Sequence, residues 1–243
     1  MTPRSIAAWC APAIEPVMKI DDATEAFHAL SPKVRFIKTL PADAALLDAG
    51  AGAGSVILFK NWPAPARNDL HMFAWAGERG EYFDRFEASE VGWWPQDKPQ
   101  FGGRSFHAIM STNFIEHIDD PSVFIRHCAD RLTPFGRIYL EWPRPESIDL
   151  PSTAELSAAG INVMTGRYHD DATHRPVPPS LSEVTDALIR SGLRIVERGI
   201  ARVPMVDRQM AIHARRSNDI VAMTLAYWSF TEWCQFVVAE RWG

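Results

Sequence analysis

Four residues with a fixed spacing are the first sign of chemistry in this chain. Asp48, Gly50, Gly52 and Gly54 lie in Leu46-Leu47-Asp48-Ala49-Gly50-Ala51-Gly52-Ala53-Gly54-Ser55. Glycines at alternate positions let the backbone turn tightly and let a ligand approach without a Cβ in the way. Dinucleotide sites use a close relative of this pattern. Asp48 argues for a different ligand, because a carboxylate repels a pyrophosphate and attracts a cationic group. A nicotinamide-dependent oxidoreductase is disfavoured on that ground and on the spacing of the third glycine.

Glu116-His117 is a second candidate. Histidine changes protonation near neutrality, so His117 can take a proton from an acceptor as a general base. The pair can equally serve only to hold its loop. A third cluster is Tyr168-His169-Asp170-Asp171 with His174. Its histidines and carboxylates are metal-ligand types. The spacing of five between His169 and His174 does not place both on one helical face, and Pro176, Pro178 and Pro179 mark a loop. No metal is therefore expected. Tyr168, Asp171 and His174 read as residues that line a pocket or pin a loop. Trp142 ends an apolar run at the carboxyl edge of a strand, where open α/β sheets bind ligands, and reads as a substrate contact. Trp75 reads as packing, whereas Trp93-Trp94 fits either packing or stacking on a ring.

The elements that must hold these residues alternate between two periods. Ala23 to Leu30 and Lys33 to Leu40 read as helices, the second opened by Ser31-Pro32. Ala44 to Asp48 is a short apolar run, as expected of a buried parallel strand. Leu70 to Trp75, Ala108 to Met110 and Gly136 to Trp142 are further strands. Pro121 to Leu132, capped by Asp120, and Ser180 to Ser191, with Ser182 as cap, are helices. Leu193 to Ala201 and Gln209 to Arg215 read as two strands with no helix between them, so they are expected to pair antiparallel. This alternation predicts an α/β fold with a doubly wound sheet. Asn218 to Trp242 is apolar and aromatic. Glu232 and Gln235 inside it argue against a membrane span. It reads as a buried or dimer-interface helix, which makes a homodimer the expected assembly, with contact at a membrane surface as the second reading.

Composition bounds the rest. The chain has 243 residues, 47% apolar, which suffices for one large α/β domain with an extra element. The expected division is an N-terminal helical segment over 1–40, the main domain over 41–216 and a C-terminal helical extension over 217–243. A net charge of −5 with no long basic run disfavours nucleic acid as a partner. Three separated cysteines, Cys10, Cys128 and Cys234, give neither a disulfide framework nor a zinc knuckle, so a reducing cytoplasm is expected.

The glycine loop resembles motif I of class I S-adenosylmethionine (SAM)-dependent methyltransferases. Three further segments carry the resemblance. Ser105 to Pro121 is similar to that family's "S-F-D-x-V … x-E-H-x-x-D-P", with His107 at the aspartate position. Leu132-Thr133-Pro134-Phe135-Gly136 is similar to "L-x-P-G-G", with Phe135 at a glycine position. Asp171-Ala172-Thr173-His174 is similar to "D-x-T-H". The match runs over roughly residues 30 to 215.

The resemblance implies a seven-stranded Rossmann-like sheet with an antiparallel last strand, SAM as methyl donor and a small-molecule acceptor. By position, Asp48, Gly50, Ala51, Gly52 and Gly54 would cradle the methionine and ribose. Asn113 and Phe114 would lie by the sulfonium. Glu78 would hold the ribose hydroxyls, and Glu90 would meet the adenine. The expected function is methyl transfer to a hydroxyl or amine, with His117 as base. The alternative is an inactive SAM-binding homologue that serves as a partner or scaffold.

Overall fold

A computed structural model describes residues 1–243. Seven strands form one sheet: β1 (Ala45–Ala49), β2 (His71–Ala76), β3 (Ala88–Val91), β4 (Phe106–Thr112), β5 (Leu132–Pro143), β6 (Leu193–Ile200) and β7 (Cys234–Arg241). Their spatial order is β3-β2-β1-β4-β5-β7-β6. β1 to β5 run parallel to one another, and β7 is antiparallel to both β5 and β6. The expected sheet is therefore present. β1 lies inside it and is buried along its whole length, which is why it reads as an unbroken apolar run ending in one acid.

Eight helices cover the sheet: α1 (Pro3–Trp9), α2 (Ile20–Leu30), α3 (Pro32–Lys38), α4 (Pro121–Asp130), α5 (Thr153–Ala158), α6 (Leu181–Arg190), α7 (Asp207–Ser217) and α8 (Ile220–Thr231). Strand alternation sorts the core into two layers. Leu47, Ala49, Ile138, Leu140 and Trp142 face α4 and α6. Leu46, Met110 and Tyr139 face Phe36 and Ile37 of α3. A third cluster joins Ile6, Phe27, Met210 and Tyr227, so the N-terminal helices pack against α7 and α8.

Local signals set several boundaries. The Asp120 carboxylate accepts from the backbone N–H of Ser122 at 2.9 Å and caps α4. Ser180, rather than Ser182, caps α6, because its Oγ accepts from Glu183 N at 3.1 Å. Phe135 holds a left-handed φ of +58°, which explains why glycine suits that turn.

The C-terminal third departs from expectation. Gln209 to Arg215 is not a strand; it lies inside α7. Nor is 217–243 a helical extension. α8 ends at Thr231, and Cys234–Arg241 enters the sheet between β5 and β6. Met223, Ala226 and Tyr227 of α8 are buried within the chain's own third core cluster, while Ile220 and Val221 at its start are exposed. No helix is long and apolar enough to cross a membrane.

Candidate active site

The carboxyl ends of β1, β2 and β4 open into a cavity of about 700 Å³. Its walls come from the glycine loop, the turn after β2, Trp93, the segment Asn113-Phe114 with His117, and Thr173.

The glycine loop is anchored by two N–H donors. Gly50 N and Ala51 N both donate to the Trp75 carbonyl, at 2.8 and 2.9 Å. Gly50 has a φ of +83°, and a Cβ there would stand 2.4 Å from Cγ of Phe114. The position needs glycine on both counts. The Phe114 ring lies between that loop and Trp75, whose ring centroid is 5.6 Å away. Asn113 has a φ of +50°, a region asparagine tolerates better than most residues. Its N–H donates to Glu141 O at 2.9 Å, and its Oδ1 accepts from Cys234 Sγ.

The turn after β2 is packed on the loop just as tightly. A Cβ on Gly80 would lie 2.4 Å from the Gly52 carbonyl oxygen. That neighbour is backbone and cannot swing aside. Gly80→Ala is expected to cost about 1–3 kcal/mol through overpacking. The Tm should fall by roughly 2–4 °C for each kcal/mol in a chain of this size. An unchanged melt would show that the loop yields freely.

Of the expected cofactor contacts, Gly50, Gly52, Glu78, Asn113 and Phe114 line the cavity, whereas Asp48, Ala51 and Gly54 lie outside its lining, as does Glu90. The two oxygens of Glu90 accept from Gln100 N and Phe101 N at 2.6 and 2.5 Å, which ties down the segment after β3. Trp93 stands on the cavity wall instead, 63% exposed, with its ring across Gly77. Trp142 and Tyr168 are fully buried and do not line the cavity. The Trp142 indole donates to Pro179 O at 2.7 Å, so it pins the chain ahead of α6. The Tyr168 ring stacks on His174 at 4.4 Å.

Glu116, His117, Asp171 and His174 come together. The Asp171 Oδ1 accepts from Thr173 N at 2.8 Å and Thr173 Oγ1 at 2.6 Å. Burial pushes the Asp171 carboxyl up, but those bonds and the nearby histidines hold it below its ordinary value. The one hydroxyl proton of Thr173 is committed to Asp171. The 2.9 Å contact between Thr173 Oγ1 and His117 Nδ1 is therefore a bond the ring donates. His117 carries its proton on Nδ1, and Nε2 keeps a free lone pair. Thr173 was the missed member of this group; it stands inside the D-x-T-H segment that marked its two neighbours.

Behind the cavity wall lies a layer of buried acid. Asp48 has both carboxylate oxygens buried with no hydrogen-bond partner. Burial raises its pKa to about 7, against the pull of Lys33. Neither oxygen of Glu116 accepts a bond from another residue, and burial raises that group to about 8, with Asp171 and Glu141 adding to the rise. Glu141 accepts from Tyr139 OH, and its Oε1 is 3.9 Å from Lys33 Nζ. Lys33 and Glu141 carried no motif signal.

A model of the methyltransferase domain family matches residues 23–198. No curated protein matches the sequence. Among solved structures, the chain is similar to an S-adenosylmethionine-dependent methyltransferase from Mesorhizobium loti, at 18% identity over 92% of this chain and 100% of that one, with a TM-score of 0.55. It is also similar to the cyclopropane synthase MmaA2 from Mycobacterium tuberculosis, at 14% identity, 93% and 100% coverage and a TM-score of 0.54. Coclaurine N-methyltransferase, bound to N-methylheliamine and SAH, aligns at 11% identity over 96% of this chain and 77% of that one, with a TM-score of 0.57. At these identities the likeness is one of fold, and the family match carries the activity. The chain belongs to the methyltransferase domain family and is a SAM-dependent methyltransferase of the class I, Rossmann-like type.

Proposed function

We propose that this chain methylates a hydroxyl or amine of a small molecule, with His117 taking the acceptor's proton. The observation that carries the reading is the hydrogen-bond order around His117. Asp171 and Thr173 hold the ring proton on Nδ1 and leave Nε2 basic on a residue of the cavity wall. SAM supplies an already activated methyl group. The chain's task is then to align the acceptor and receive its proton.

The residues present fit a cationic cofactor. Asp48 and Glu116 are buried with unpaired oxygens, and Lys33 lies close to this layer. A buried carboxylate without a partner is costly and is relieved by a positive group. Asp48 would pair the ammonium of the methionine moiety. Glu78 would hold the ribose hydroxyls, and the exposed face of Trp93 would take the adenine in place of Glu90. Asn113 and Phe114 would border the sulfonium.

Asp48→Asn keeps the shape and removes the charge. Hydrogen bonds to charged groups contribute about 1.5–3 kcal/mol, so SAM affinity at about pH 8 should fall ten- to a hundredfold by calorimetry. Unaltered affinity would remove Asp48 from the site. The acceptor class is tested by following SAH release with panels of phenols, alcohols and amines. Turnover confined to acceptors with no proton to lose, such as thioethers and tertiary amines, would overturn the reading.

A further inference from the structure

Glu116, His117 and His174 each offer one ligand atom, and these three atoms lie within 4.8 Å of one another. We propose that they hold a divalent transition-metal cation of the zinc class at the His117 wall of the cavity. The sequence spacing did not point there, because the ligands come from two separate segments.

The tautomers of both histidines favour ligation. His174 Nδ1 is 2.6 Å from the Tyr168 carbonyl oxygen, which can only accept. The ring therefore donates from Nδ1 and carries its lone pair on Nε2. His117 is in the same state through Thr173 and Asp171. A metal-bound histidine shows this arrangement: one ring N–H given to a carbonyl or a carboxylate-linked group, the other nitrogen on the metal.

Glu116 is the independent observation. It is fully buried, and neither oxygen has a partner. A cation between it and the two rings supplies that partner. Asp171 adds a further negative charge beside the site, its Oδ2 lying 3.8 Å from His174 Nε2. Two nitrogens and one carboxylate suit zinc and its neighbours rather than magnesium or calcium, which prefer all-oxygen shells.

The two segments are already tied together, since Arg175 N donates to Glu116 O at 2.9 Å. The ligand atoms must draw in, because donors about 2.1 Å from a tetrahedral zinc lie roughly 3.4 Å apart. His117 is exposed and is the member able to move. Three protein ligands leave a coordination position open to an acceptor oxygen.

The inference shares His117 Nε2 with the proposed function but does not rest on it: cation binding needs no acceptor, and the base role belongs to the metal-free chain, because a bound cation takes that lone pair. The test uses the metal-free full-length chain, titrated with Co²⁺ for the visible bands of a low-coordinate site and with Zn²⁺ by calorimetry. One equivalent should bind. His174→Gln and Glu116→Gln should each weaken binding by about tenfold or more. His169→Ala, an exposed histidine outside the set, should leave it unchanged. If Glu116→Gln fails to fold, His174→Gln carries the comparison. The proposal is overturned if wild type shows neither cobalt bands nor saturable zinc binding, or if His174→Gln binds as wild type does. Turnover by metal-free protein leaves the base reading standing whichever way the titration falls.

Discussion

Replacing His117 with alanine in metal-free protein is expected to lower kcat on a hydroxyl acceptor by about a hundredfold or more, with the Kd for SAM unchanged. General-base catalysis by a placed side chain contributes about 10²–10⁴-fold. The lower end applies because the methyl donor is already activated and alignment does much of the work. The hydrogen-bond order gives a second handle. Thr173→Val removes the oxygen that accepts from His117 Nδ1 and the hydroxyl that reaches Asp171. The ring then loses its imposed tautomer but not its place. A drop in kcat of about tenfold is expected, with KM and the Kd for SAM little changed. A merely structural role for Thr173 would raise KM or lower the melting temperature instead. If His117→Ala turns over at the wild-type rate, the chain only positions its acceptor, and the proton leaves to water.

Runs of side chains buried on both faces announce themselves, so β1 and its loop were legible from Leu46-Leu47-Asp48 onward. What the sequence could not give was which face a residue joins. Trp142 does lie at the carboxyl end of β5, one residue before Pro143, but period-two alternation sends it with Ile138 and Leu140 under α6. Its neighbour Glu141 takes the other face, beside Lys33. One residue of register separated a buried tryptophan from the polar layer. Similarly, Asp48 shares the parity of Leu46, which faces α3. The C-terminal error has another cause. Glu232 ends α8 in a left-handed conformation, φ +57°, where a glycine would have signalled a stop. Without that signal, the buried central strand Cys234–Arg241 reads as a continuation of an apolar helix. Within Gln209 to Arg215, Met210 and Ala214 sit four apart on one helical face, which a short window mistakes for alternation.

Raising the pH from about 6.5 to about 8.5 is expected to destabilise the SAM-free, metal-free protein, by on the order of 2 kcal/mol. Asp48 and Glu116 carry the effect. Their ordinary values are 3.8 and 4.5, and burial raises them to about 7 and about 8 in the fold. Across the interval the unfolded chain has released protons that the folded chain still holds. More protons bound in the native state means that stability falls as pH rises through the folded values. Up to about pH 7.5, one unit above the ordinary histidine value, the trend is partly offset. Burial lowers His28 to about 4 and depresses His127 and His174, and these groups lose stability in the opposite direction, as acid protonates them in the unfolded chain. The slope is therefore cleanest above about pH 7.5, where the histidines are neutral in both states. In a chain of this length the melting temperature should drop by roughly 4–8 °C between about pH 6.5 and 8.5. Glu116→Gln isolates the larger share. At about pH 8.5 the ionised carboxyl carries a penalty of roughly 4–5 kcal/mol, at about 1.4 kcal/mol for each pH unit between its two values. A buried amide left in its place costs about 1–3 kcal/mol, so the variant should be more stable than wild type by on the order of 2 kcal/mol and nearly flat above neutrality. SAM should stabilise the wild type more as the pH rises, because ionised Asp48 then gains a cation. A melting temperature that climbs from about pH 6.5 to 8.5, alike in wild type and Glu116→Gln, would mean that both acids are already ionised and solvated, and that the buried layer does not hold its protons.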